Sequence, residues 1–128
     1  MTNILIVTHG LFGKELKKST ELITGPIRDC LALSLNRDDS IDGLESKINE
    51  YLNNTEGDTI VFVDLIGGSP FNVSTLCLKK RKDFKLVSGV NLPMLLECVM
   101  MRDNLTIGEL TTHCRNIGKE SIKIIDES

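Results

Sequence analysis

His9, Asp64 and Ser69 are the residues whose types and placement carry the most chemistry in this 128-residue sequence. His9 stands before Gly10 in "VTHG" (7–10), and Asp64 stands in "VDLIGGSP", where Gly67, Gly68 and Ser69 follow it closely. A histidine beside a carboxylate can serve as a nucleophile, because the acid holds the far ring N–H, fixes the tautomer and stabilises the imidazolium formed as the near nitrogen attacks. Phosphoryl or acyl transfer makes the most direct use of such a pair. Gly67 and Gly68 would expose backbone N–H groups at the start of a helix, and Ser69 would add a hydroxyl, so a phosphoryl group would find donors and a favourable dipole there. No Walker lysine follows and no GxGxxG is present, which points to a phosphoryl group held covalently rather than to a whole nucleotide.

Those residues need elements to hold them. "NILIVT" (3–8), "DCLALSL" (29–35) and "DTIVFVDL" (58–65) are β-rich apolar runs of the kind found in strands covered on both faces. Between them Phe12, Leu16, Ser19 or Thr20, and Ile23 share one helical face, and Ile41, Leu44, Ile48 and Leu52 share another. Gly25-Pro26 and "NNTEGD" end these helices. After the Gly-Gly-Ser turn, Ser69 is expected to cap a helix with Pro70 in its first position; "FKLVSG" then reads as a fourth strand. Helices follow from about Asn91, with Pro93 in the first turn, and over "TIGELTTHCRNIGKE"; "SIKIIDE" supplies a short last strand suited to a sheet edge. The alternation predicts a three-layer α/β/α fold with a mostly parallel sheet and right-handed crossovers, in one domain over 1–128. With strand order 2-1-3-4, strands one and three lie side by side where the order reverses. His9, Asp64 and the segment Gly89–Val90–Asn91 then meet at the carboxyl edge, where open parallel sheets bind ligands.

Composition narrows the partners. The net charge is −3, with one tyrosine and no tryptophan, so the chain lacks the basic surface and stacking aromatics of a nucleic-acid binder. The short cluster "KKRK" (79–82) suits a solvated helix end near the favourable pole of its dipole. Cysteines 30, 77, 98 and 114 form no CxxC pair and no zinc spacing, so reduced thiols and no metal are expected. The longest early apolar run, Ile4 to Val7, is far too short to cross a membrane and follows no basic leader, which predicts a cytoplasmic protein.

"THG" (8–10), "VDLIGGSPFN" (63–72) and "GVNLPML" (89–95) together resemble the signatures of the mannose-class enzyme IIA of the bacterial sugar phosphotransferase system. The resemblance implies that His9 takes a phosphoryl group from the phosphocarrier protein HPr and passes it to a histidine of an enzyme IIB, which feeds a membrane IIC/IID permease. It implies no cofactor, an orienting role for Asp64, and Ser69 beside the phosphoryl group. It also implies a homodimer in which the C-terminal strand is exchanged. Gly10, Gly67, Gly68, Asn72, Gly89, Val90 and Asn91 become candidate phosphoryl or partner contacts, together with Phe12 and Phe71. A partly apolar rim for the two protein partners is expected from Leu11, Phe12, Ile66, Phe71, Val90 and Leu92, with Phe12 the first candidate to be core instead. Gly10 is expected to spare an incoming phosphoryl group the crowding of a side chain.

Blander readings stand beside these. Asp64 could cap its own turn, Ser69 could serve only the helix, Gly67, Gly68, Gly89 and Asn91 could only form turns, and Asn72 could point to solvent. His113, with Glu109 one helical turn earlier, reads as part of an ordinary surface pair and as an internal control for His9. The competing functions are a phosphotransfer subunit for dihydroxyacetone kinase and a noncatalytic module sensing a phosphorylated partner or anion. The GGSPFN and GVNLPML stretches favour the sugar branch.

Overall fold

The computed structural model describes residues 1–126 and runs β1 (Asn3–His9), α1 (Phe12–Thr24), β2 (Cys30–Leu35), α2 (Ile41–Asn53), β3 (Thr59–Val63), α3 (Ser69–Leu78), β4 (Phe84–Ser88), α4 (Leu92–Met101) and α5 (Ile107–Glu120). Among these residues the strands form one sheet of order β2-β1-β3-β4, every neighbour parallel, as the alternating pattern predicts. Ile4 to Val7 and Ile60 to Val63 are fully buried because helices cover both sheet faces. Ile4, Ile6, Ile60 and Phe62 face α1, α4 and α5; Leu5, Val7, Val61 and Val63 face α2 and α3. Each such side chain contributes roughly 1.5–3 kcal/mol by leaving water.

The buried face of α1 differs from the expected phase, and that of α2 keeps it except in the first turn. Gly13, Leu16 and Thr20 are the buried residues of α1, whereas Phe12 and Ile23 are 48% and 61% exposed. The cause is tertiary: the Gly13 N–H donates to the buried Thr8 Oγ1 at 2.8 Å, which draws that position rather than Phe12 onto the sheet. In α2 the inward residues are Leu44, Ile48 and Leu52, while Ile41 stays exposed in the first turn after the Ser40 cap. Thr106 and Glu109 form a reciprocal capping box at the start of α5. Glu109 is thereby engaged, and His113 pairs instead with Glu97 of α4, Nε2 to Oε1 at 2.9 Å.

At the amino end of the sheet Arg102 is 4% exposed. Its guanidinium donates to the carbonyls of Thr2, Arg28 and Asp29. The four cysteines are free, and burial pushes the Cys30 thiol up to about 11. The expected last strand joins none of the four strands: residues 122–126 have no regular structure, and Ile122, Ile124 and Ile125 are all strongly exposed. Glu127, the end of that expected strand, lies outside the described residues. Among the described residues no helix is long and apolar enough to cross a membrane.

Candidate functional site

Parallel pairing of β1 with β3 brings Val7 level with Val63, so the next residues along each chain meet at the carboxyl edge. His9 and Asp64 are those residues, two and one positions further on. The Asp64 carboxylate uses one oxygen twice: Oδ2 accepts from the His9 backbone N–H at 3.0 Å and lies 2.9 Å from its ring Nδ1. An ionised carboxylate only accepts, so Nδ1 carries the proton and the neutral ring presents its lone pair at Nε2. The Asp64 side chain is 16% exposed against 48% for His9, which leaves the imidazole open and the carboxylate sheltered. Asp64 Oδ1 is buried without a hydrogen-bond partner among the described residues, so the polar contacts of the acid converge on His9. The alternative in which Asp64 caps its own turn is therefore not the arrangement found.

Gly68 stands against the imidazole. A Cβ at that position would lie 2.8 Å from His9 Cε1 and 3.4 Å from Nε2, so only glycine lets the ring take this place. Gly68, not Ser69, is the N-cap of α3; Ser69 opens the helix and Pro70 follows it, and no side chain caps that end. The extended backbone of Gly68 moves the cap one residue earlier than the Ser-Pro pattern suggests. Ser69 is half-buried in the first turn, next in sequence to the glycine that backs the ring. Gly10 has a φ of 55° and an added Cβ would meet nothing within 4 Å, so backbone geometry rather than crowding in the free protein accounts for this glycine.

The other candidates fall into two groups. Gly67 turns at the head of α3, where its carbonyl accepts from Asn72 Nδ2 at 3.2 Å, so exposed Asn72 folds back on the turn. Leu11, Phe12 and Ile66 are exposed, at 56%, 48% and 68%, in segments adjoining His9 and Asp64. Phe71 is half-buried against the α2–α3 side of the core. Gly89 turns with positive φ after β4. Val90 is core, 5% exposed, with its N–H bonded to the Val63 carbonyl, and Leu92 also packs on the core. The Asn91 side chain accepts from Met94 N–H at 3.0 Å and donates to the Gly118 carbonyl at 3.2 Å. Val90 and Asn91 thus frame the edge from within. Sequence reasoning missed Leu65, 58% exposed; β3 ends at Val63, and an aspartate followed by the glycine turn was the available sign that Leu65 had left the sheet.

An all-parallel sheet whose carboxyl edge holds a histidine on a buried carboxylate, beside a glycine-opened helix, defines an α/β protein built around one exposed imidazole. The chain belongs to the PTS system fructose IIA component family (EIIA-man), whose family model matches residues 3–114. It is similar to the PTS system fructose-specific EIIA component of Bacillus subtilis (strain 168), at 27% identity over 99% of this chain and 88% of that one. It is 30% identical to the PTS system mannose-specific EIIAB component of Escherichia coli (strain K12), over 95% of this chain and 39% of that longer protein. A crystal structure of phosphotransferase system component EIIA from Streptococcus agalactiae superposes with a TM-score of 0.91 at 29% identity, covering 97% of both chains. The chain accordingly has a phosphotransfer role in the sugar phosphotransferase system.

Proposed function

We propose that residues 1–128 act as a single cytoplasmic enzyme IIA domain that accepts a phosphoryl group from phospho-HPr on His9 Nε2 and delivers it to a histidine of a mannose-class enzyme IIB. The observation that carries this reading is the pairing of His9 Nδ1 with Asp64 Oδ2 at 2.9 Å, which leaves Nε2 as the outward nitrogen. In the first transfer the Nε2 lone pair forms a bond to phosphorus as the donor's N–P bond breaks, and the electron pair of that bond returns to the donor imidazole. The proton on Nδ1 stays in place, and Asp64 stabilises the positive charge that the ring acquires. Onward transfer is the same exchange with IIB as acceptor, so neither nucleotide nor cofactor enters. Amides at the head of α3 and the Ser69 hydroxyl favour the phosphoryl oxygens. Sugar is handled downstream, by IIB and the IIC/IID permease.

Incubation with labelled phospho-HPr, followed by the cognate IIB, tests this directly. Label is expected on His9 and then on IIB; it should be acid-labile and alkali-stable, as a phosphoramidate is. An acid-stable label would sink the mechanism. Both partners must reach His9, so glutamate substitutions at exposed Leu11 and Ile66 are expected to lower both transfer rates by roughly tenfold, the worth of a modest interface contact. Unchanged rates would put the contact surface elsewhere.

The exposed isoleucines at 122, 124 and 125 support a homodimer in which this segment pairs with a second copy. Deleting residues 121–125 is expected to leave monomer or aggregate in sedimentation. A truncated chain that remained a stable dimer would refute the exchange.

A further inference from the structure

The Asn91 side chain ties the start of α4 to the end of α5. Its Oδ1 caps α4 by accepting from Met94 N–H, while its Nδ2 reaches 3.2 Å to the carbonyl of Gly118 near the end of α5. That carbonyl also accepts from Ser121 Oγ at 2.8 Å, and the chain then turns out of the helix through Ser121 N–H to Ile117 O and Ile122 N–H to Lys119 O. The fit around the bond is close: a Cβ on Gly118 would come within 2.5 Å of Met94 Cε and 3.6 Å of Asn91 Nδ2. On its other side Asn91 follows Val90, whose N–H holds the carbonyl of Val63, the residue before Asp64. Hydrogen bonds and the Val90–Asn91 backbone therefore connect the neighbour of Asp64 to the end of α5, where the segment 122–126 begins.

Resting on the function proposed above, we propose that Asn91 is a positioning residue whose bond to the Gly118 carbonyl couples the acceptor edge to the exit direction of the C-terminal segment. Without that bond, the last turn of α5 loses a partner for one of its terminal carbonyls and the 89–91 loop loses its anchor. Small displacements of Asp64 and His9 then cost rate, since transfer demands close alignment of the reacting nitrogen with phosphorus.

The test separates this role from capping. Asn91→Asp and Asn91→Ser both keep an oxygen for the Met94 N–H and both are good N-caps, but aspartate has no donor for Gly118 and serine is too short to reach it. Thermal unfolding reports whether α4 is retained. In both variants the amides of Ser121 and Ile122 are expected to exchange about five- to tenfold faster by NMR, and labelling of His9 from phospho-HPr to slow by about tenfold, the scale of one net hydrogen bond. A role confined to capping α4 predicts wild-type exchange and wild-type labelling; either result in both variants would overturn the coupling. A wild-type chain that takes no label overturns the proposed function instead, and the exchange comparison still decides the Asn91 bond.

Discussion

Replacing His9 by alanine is expected to abolish labelling by phospho-HPr, while replacing Asp64 by alanine slows it and leaves the acceptor in place. The two should fail differently because they supply different things. In the proposed transfer His9 supplies the nitrogen that forms the new bond, and no other described side chain offers an equivalent: His113, the second imidazole, directs Nε2 to Glu97 between α4 and α5, far along the chain from the glycine turns. Asp64 supplies orientation and charge, through two contacts from one oxygen to the backbone and ring of the same histidine. Removing it frees the tautomer and withdraws the stabilisation of the phosphorylated ring. A loss of roughly 10²–10⁴ in transfer rate is expected, the range for lost acid–base assistance. His113→Ala should label at close to the wild-type rate. Full labelling of His9→Ala would end the assignment, and a wild-type rate for Asp64→Ala would remove Asp64 from it.

The largest stability effect is expected at Arg102. Its guanidinium is buried and its hydrogen bonds go to backbone carbonyls at the start of β1 and in the turn into β2. One of these, Asp29, has a φ of 49°, an uncommon conformation for a residue with a side chain, and its carbonyl also accepts from Ile4 N–H where the β1–β2 pairing begins. Arg102→Ala removes the shared donor from three carbonyls at once and leaves a cavity between α4 and the strand ends. The Asp29 carbonyl keeps its bond from Ile4 N–H, while those of Thr2 and Arg28 lose the guanidinium; at about 1–3 kcal/mol for each group left without a partner, a loss of ~2–5 kcal/mol is expected. That is a large part of the 5–15 kcal/mol that holds a typical domain folded. Arg102→Lys should rescue only in part, because one ammonium cannot reproduce the planar fork. Urea unfolding checks this; an unchanged midpoint for Arg102→Ala would mean that the guanidinium bonds contribute nothing net.

The four sheet strands and their order were readable because buried parallel strands leave unbroken apolar runs, and the runs ending at His9 and near Asp64 put both on the same edge; the exposed segment at 122–126, expected as a fifth strand, lacks such burial. Features that depend on a distant partner were not. Nothing local in "THGLFGKEL" says that Thr8 will bind Gly13, yet that bond sets the phase of α1 and turns Phe12 outward. The helix start at Ser69-Pro70 was legible to within one residue, because the extended glycine before it could serve as cap as well as the serine. Arg102 looks like any arginine at the end of a helix. Its partners lie 73 to 100 residues away in sequence and are carbonyls, which carry no residue-type signal. Asn91 was recognisable as important, but its second contact, with Gly118, required the packing of α4 on α5.

Among the described residues the sheet ends in two edge strands, β2 and β4, each paired on one side only, and they differ in what they invite. An isoleucine-rich segment that pairs reciprocally with a second copy satisfies itself at two chains and stops growing, because each copy uses the same surface to give and to receive. A second sticky edge would undo that closure and let dimers add end to end into fibres. The grooves beside β2 are lined by Lys14, Lys17, Lys18 and Glu21 on one side and by Lys47 and Glu50 on the other. Burying those charges against another strand is costly, so the β2 edge is guarded against polymerisation, and the proposed exchange would leave growth no second edge.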